Sequence, residues 1–137
     1  MRKLFPIILA LVVISAFILG ACSSAPSGPV VPNAENGKKL YDASTLGSSS
    51  AAGCASCHNF NEAAGKNDKA PYTEGTATRA ETRVAGMTAE EYIKESILKP
   101  NAYVVENYKE GDMYQTWEKE LSEQQIADLV AYLLTEK

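Results

Sequence analysis

The stretch of this chain best equipped for chemistry is Cys54-Ala55-Ser56-Cys57-His58. Two thiols separated by two residues, followed at once by an imidazole, form the C-x-x-C-H pattern to which a c-type haem is attached. One turn of chain separates the two sulfurs, so both reach vinyl groups on one haem edge and become thioethers. The next side chain then turns under the iron as its proximal ligand. His58 is the only histidine in the sequence.

Other chemistries also use a C-x-x-C pair. A dithiol redox motif usually opens the helix of a β-α-β pattern, and no such pattern is visible here. Structural zinc needs four nitrogen or sulfur ligands. Beyond Cys54, Cys57 and His58 the chain offers only Cys22, whose surroundings suit another use. One covalent haem is the expectation.

Met1-Arg2-Lys3 gives a positive start, Leu4 to Leu19 is apolar, and Leu19-Gly20-Ala21-Cys22 closes the run with small residues before a cysteine. This is the layout of an export signal, and the run is short for a membrane span. It resembles a bacterial lipoprotein signal, whose terminal cysteine is acylated after cleavage. The resemblance implies a signal peptide over 1–21, with Cys22 the lipidated residue; an ordinary signal peptide or an uncleaved anchor is the plainer reading. Several acyl chains on one residue would hold the protein at a membrane far longer than one chain can. Residues 22–32, rich in Ser, Pro and Gly, then read as a flexible tether. Export also fits the haem, because bacterial haem ligation occurs outside the cytoplasm. With Cys22 acylated and both other thiols on haem, no cysteine remains for a disulfide.

The remaining domain, 33–137, is near the size at which one core is just adequate, and a buried haem would enlarge that core. The full chain has a formal net charge of −4. Dropping Arg2 and Lys3 with the signal leaves 11 basic residues against 17 acidic, or −6. That balance argues against nucleic acid as a partner.

Helical spacing places three main helices around the motif, and no alternating strand pattern of useful length appears, so the fold class is mostly α. The first helix runs from about Asn33 to Ala43, with Gly37, Leu40 and Tyr41 on one face. The second starts at Thr88 and stops before Pro100. Thr88 and Glu91 have capping-box spacing, and Met87 faces Tyr92 as a hydrophobic staple. Its inner face is Ala89, Tyr92, Ile93, Ser96 and Ile97. The third runs from Ser122 to about Thr135, with Ser122 and Gln125 as its box and an apolar stripe at Ile126, Leu129, Val130, Leu133 and Leu134. Ser44 to Gly53 reads as a surface loop, and no helix is evident between Tyr72 and Met87.

In this order of elements the chain resembles a class I, mitochondrial-type monohaem cytochrome c over roughly Asn33 to Lys137. The residues that carry the resemblance are the haem motif, Gly37 and Tyr41 in the first helix, and Leu129 and Tyr132 in the last. It implies a cytochrome c fold, in which helices and long loops wrap one haem and the terminal helices cross where Gly37 permits close approach. It also implies that Pro71 offers its carbonyl to the proximal imidazole, fixing the ring. A plain loop proline is the alternative.

The resemblance further implies a sixth iron ligand. Without a second histidine in the chain, methionine is left for that role. Met1 departs with the signal, and Met87 has a sufficient role as a staple. Met113 stands in Glu110-Gly111-Asp112-Met113-Tyr114, between the middle and terminal helices, where the family places its ligand. The expected metal ligands are therefore His58 and Met113, with Cys54, Cys57 and Pro71 completing the cofactor site. Three features depart from the family pattern. Tyr114 rather than proline follows the methionine, Ser44 to Gly53 is inserted, and Gly75-Thr76-Ala77-Thr78-Arg79-Ala80 resembles a segment of some bacterial membrane-associated members. Candidates for propionate contacts are Arg79, Arg83, Asn101, Tyr103 and Trp117.

The resemblance implies an electron-transfer protein and no enzyme: a membrane-tethered monohaem c-type cytochrome carrying one electron in a bacterial respiratory or photosynthetic chain. It would sit on the outer face of the cytoplasmic membrane or in the periplasm. Its partners would be redox proteins, such as a quinol-oxidising complex, a terminal oxidase or a reaction centre, with no small-molecule substrate. A fixed lipoprotein subunit of alternative complex III or of an oxidase would look similar. A haem peroxidase or gas sensor would require that Met113 not bind. Glu106, Glu110, Asp112, Glu118 and Glu120 flank the ligand loop, so a docking partner is expected to present a basic patch.

Overall fold

Asn33 ends an extended segment and caps the first helix, its side chain accepting the Asn36 amide at 3.0 Å. The computed structural model describes residues 28–66 and 68–137; the signal segment, Cys22 and the start of the tether lie outside them. Five α-helices occur among the described residues: α1 (Ala34–Asp42), α2 (Thr76–Arg83), α3 (Ala89–Leu98), α4 (Trp117–Glu120) and α5 (Glu123–Leu133). The only sheet among them is a two-stranded antiparallel hairpin, β1 (Thr45–Leu46) and β2 (Ala51–Ala52), in which Thr45 faces Ala52 and Leu46 faces Ala51. The described residues are mostly α, and among them no β-α-β unit accompanies the C-x-x-C pair.

Caps start the two later long helices where their residue spacing puts them. Thr88 Oγ1 accepts the Glu91 amide and Glu91 answers the Thr88 amide at 2.8 Å. Ser122 and Gln125 make the same reciprocal pair at the start of α5. Ile93 and Ile97 of α3 and Ile126, Leu129 and Val130 of α5 are buried in one core with Tyr41, Trp117, Leu121 and Tyr132.

The closest approach in that core is between α1 and α5, which pack more extensively than any other pair of elements. A Cβ on Gly37 would overlap the Asp128 carbonyl oxygen and stand 2.8 Å from Tyr132 Cβ. Only a residue without a side chain fits. Tyr41 and Tyr132 flank the crossing, their ring centroids 5.2 Å apart and planes tilted by 59°. Asp128, buried there, accepts the Asn33 amide at 2.8 Å and Gln124 Nε2 at 2.7 Å. Gln124 also exchanges two hydrogen bonds with the Val31 backbone. The chain is thus fastened to α5 while still within the segment read as tether.

Two readings of the sequence need correction. The stretch between Tyr72 and Met87 does contain a helix, α2. Its sequence, Thr-Ala-Thr-Arg-Ala-Glu-Thr-Arg, has modest helix propensity, and the side chains it buries are only Ala77 and Ala80. No side chain caps it: Gly75 turns the chain in at φ 75°, and the Thr76 hydroxyl donates to the Thr73 carbonyl at 2.6 Å. The Ser44–Gly53 insertion is likewise more than a surface loop. It is the hairpin above, and Leu46 enters the core at 6% exposure.

Candidate haem site

The C-x-x-C-H residues form a single tight helical turn. Cys54 O accepts the amides of Cys57 at 3.1 Å and His58 at 2.9 Å, so two side chains one turn apart and the imidazole after them share one short, fixed piece of backbone. The turn packs beside α1. Burial pushes the Cys54 thiol up to about 11, which keeps it protonated and slow to attack as a thiolate. The described residues form no disulfide, and none of their Cys, His, Asp and Glu side chains converge as a metal-holding cluster of three.

His58 Nδ1 lies 2.9 Å from the Pro71 carbonyl oxygen. A carbonyl only accepts, so Nδ1 carries the proton and Nε2 keeps its lone pair. Desolvation lowers the imidazole's pKa, against an opposing effect of the Pro71 bond. The ring is therefore neutral at physiological pH and available as a ligand. A backbone zipper holds Pro71 in place: the Thr73 amide donates to Asn59 O at 3.0 Å and Glu74 to Phe60 O at 2.8 Å. Thr73 is almost fully buried, and its hydroxyl meets the hydroxyl of Tyr41 on α1. The imidazole orientation is thereby tied to the helix crossing.

Above this wall opens a cavity of about 660 Å³, a size that takes a large organic cofactor. Cys54, Cys57, His58 and Pro71 line one side. Aromatic and aliphatic side chains from α3, α4 and α5, including Tyr92, Ile97, Trp117 and Leu129, line the rest. Met113 lines this cavity too, on the irregular segment between α3 and α4, half-buried against the core. Met87 does not; it lines a separate cavity of about 80 Å³ with Tyr92 and Tyr103. The five candidate propionate neighbours, Arg79, Arg83, Asn101, Tyr103 and Trp117, all border the large cavity. Arg79 donates to the Tyr72 and Glu74 carbonyls at 2.5 and 2.7 Å. Arg83 Nε is buried without a hydrogen-bond partner, an uncommon state for a guanidinium nitrogen. Burial, and then the neighbouring Arg83 charge, lower the pKa of Arg79. Two close cations on the wall of an apolar cavity suit an anionic edge.

Reading the sequence missed one polar cluster. Glu120 is not a free member of the acidic face: its carboxylate accepts Ser48 Oγ at 2.6 Å, the Ser49 amide at 2.9 Å and Tyr114 OH at 3.2 Å. Those bonds hold its pKa down at about 2. Glu106, Glu110, Asp112 and Glu118 remain exposed. Cys22, assigned to lipidation, lies outside the described residues.

These residues fit a haem held by two thioethers: thiols one turn apart, a neutral imidazole with a lone pair to give, and a large apolar cavity with cations at its wall. The cytochrome c family model matches residues 34–137. No curated protein and no solved structure gives a significant match to the chain. With the family match spanning most of the chain and the C-x-x-C-H turn on the wall of a haem-sized cavity, the chain belongs to the cytochrome c family, whose members bind haem c covalently, and is a c-type cytochrome.

Proposed function

We propose that this cytochrome is a lipid-anchored, one-electron carrier with His58 and Met113 as axial ligands, working at the outer face of a bacterial cytoplasmic membrane or in the periplasm. The observation that carries the reading is that His58 and Met113 line one cavity while Met87 lines another. When bound, the haem supplies reversible one-electron chemistry. The chain's own part is to hold and insulate. Pro71 keeps the proton on Nδ1, leaving Nε2 as donor. Met113 would bring a neutral sulfur, a ligand that favours reduced iron and raises the potential. The apolar wall would exclude water, and Arg79 and Arg83, which border the cavity, would balance the charge of the propionates. A haem held between His58 and Met113 would leave no open position at the iron for a substrate.

The test is the protein matured in a host that attaches c-type haem. It should titrate reversibly as a one-electron couple, and its reduced form should bind carbon monoxide poorly. Rapid, tight binding of carbon monoxide would mean an open iron and the sensor or peroxidase reading. Copurification from detergent-solubilised membranes separates a mobile carrier from a fixed subunit of a respiratory complex.

Anchoring has its own test. Cys22→Ser should release the protein from membranes without loss of haem, because attachment uses only the Cys54–His58 segment. If the variant is cleaved and haem-loaded yet still needs detergent for extraction, a stable partner rather than acyl chains holds it.

Docking has another. Glu110 and Asp112 are exposed on the segment that carries Met113, and a partner with a basic patch would be steered there. Changing both to Lys should slow electron transfer at low salt and flatten its salt dependence, since exposed charges are screened within about 8–10 Å at physiological ionic strength. A rate indifferent to both salt and charge reversal would remove this face from the docking reading.

A further inference from the structure

The segment that carries Met113 has little regular structure of its own, yet a thioether ligand must be presented in one place. Some of its hydrogen bonds are local: the Gly111 amide donates to Asn101 Oδ1 at 3.1 Å and Gln115 Nε2 to the Met113 carbonyl at 2.5 Å. Tyr114, the next residue along, reaches much farther. Its hydroxyl donates to Glu120 Oε1 at 3.2 Å and lies 3.1 Å from Ser49 Oγ. Its ring stands 4.6 Å from that of Trp117, which is buried at 3% exposure. The other carboxylate oxygen, Glu120 Oε2, takes the Ser48 hydroxyl and the Ser49 amide.

Ser48 and Ser49 form the tip of the inserted hairpin, so the insertion and the ligand segment meet at one carboxylate. The hairpin is seated well enough to serve as a fixed point. Leu46 roots it in the core, and Gly47, at φ 80°, lies so close to Glu120 that a Cβ there would stand 2.8 Å from Glu120 Cβ.

We propose that Glu120 is a positioning residue for the distal ligand: with Ser48 and Ser49 of the inserted hairpin it forms a strut that holds Tyr114, and through it Met113, at the haem cavity. This rests on Met113 being the sixth ligand. A carboxylate accepting three bonds is a stiff joint, because hydrogen bonds to an ionised acceptor are the stronger kind. Removing it leaves Tyr114 OH and two serines without their shared acceptor and lets the segment move. A pre-placed ligand depends on such support from the groups behind it.

The experiment is competition at the oxidised iron by added imidazole, read beside the weak near-infrared band of sulfur-to-iron ligation. Glu120→Ala should bind imidazole about tenfold more tightly than the parent, the scale expected for losing hydrogen bonds to a charged group. It should also weaken the band and lower the midpoint potential. Glu120→Gln, which keeps the length and one acceptor oxygen but loses the charge, should fall between the parent and the Ala variant in all three. Tyr114→Phe should reproduce the Ala variant, and the double variant should be no worse than either single one, as for residues acting through one joint. Lys119→Ala, exposed on the same short helix, should change nothing. If Met113→Ala abolishes the band while Glu120→Ala leaves the band, the potential and the imidazole affinity intact, the strut is overturned and the ligand assignment stands. If Met113→Ala keeps the band, the ligand assignment fails and takes the strut with it.

Discussion

Met113→Ala should open the sixth coordination position of the haem-loaded protein, and three readouts should move together. The near-infrared sulfur-to-iron band should vanish, the midpoint potential should fall, and the reduced form should bind carbon monoxide readily. The direction of the potential follows from the ligand: neutral sulfur stabilises the reduced iron more than water or hydroxide does, so losing it favours the oxidised state. A decrease larger than that of any surface variant is expected. Met87→Ala is the matched comparison, because Met87 flanks α3 in a separate small cavity with Tyr92 and Tyr103. It should cost some packing and leave band and potential in place. Loss of the band in the Met87 variant, with retention in the Met113 variant, would reverse the assignment.

Local chemistry is what made much of this molecule legible in its sequence. Thr88 with Glu91 and Ser122 with Gln125 are spaced for reciprocal capping, and both boxes form. The pairing of Gly37 and Tyr41 with Leu129 and Tyr132 comes from the family resemblance rather than from local chemistry, and these residues do meet across α1 and α5 or lie in the core there. Other features depend on partners far along the chain. The helix α2 buries alanines, whose weak apolar signal does not stand out from a loop. Leu46 is one apolar residue in a stretch of Ser, Gly and Ala, and its burial follows only from the hairpin's place against the core. Glu120 looks like any surface acid. Its partners Ser48 and Ser49 stand 72 and 71 positions away, and no periodicity encodes such a meeting. Asp128 is similar: an acid within an apolar helix stripe, made tenable by the Asn33 amide and Gln124.

The second large effect concerns the crossing on which the proximal side depends. Gly37→Ala should destabilise the haem-loaded protein by about 2–3 kcal/mol, the upper range for overpacking a tight contact. Two effects oppose each other here. Alanine is the better helix former, worth about 1 kcal/mol in its favour at a helix interior. Against that, the new methyl would overlap the Asp128 carbonyl oxygen and lie 2.5 Å from its carbon, and a backbone group in mid-helix cannot swing aside as a side chain can. The helices must part. Parting them loosens the Tyr41–Tyr132 ring contact and the bonds that the Asn33 amide and Gln124 make to buried Asp128. It also reaches the haem, since Tyr41 meets Thr73, and the Thr73 amide bonds Asn59 in the zipper that holds the Pro71 carbonyl against His58. The overlap should therefore outweigh the propensity gain. Denaturant unfolding followed by the haem absorbance gives the measurement, with Lys39→Ala on the exposed side of α1 expected to stay within about 0.5 kcal/mol of the parent. A Gly37→Ala protein as stable as the parent would mean that α1 and α5 do not cross at this residue in the folded, haem-loaded molecule.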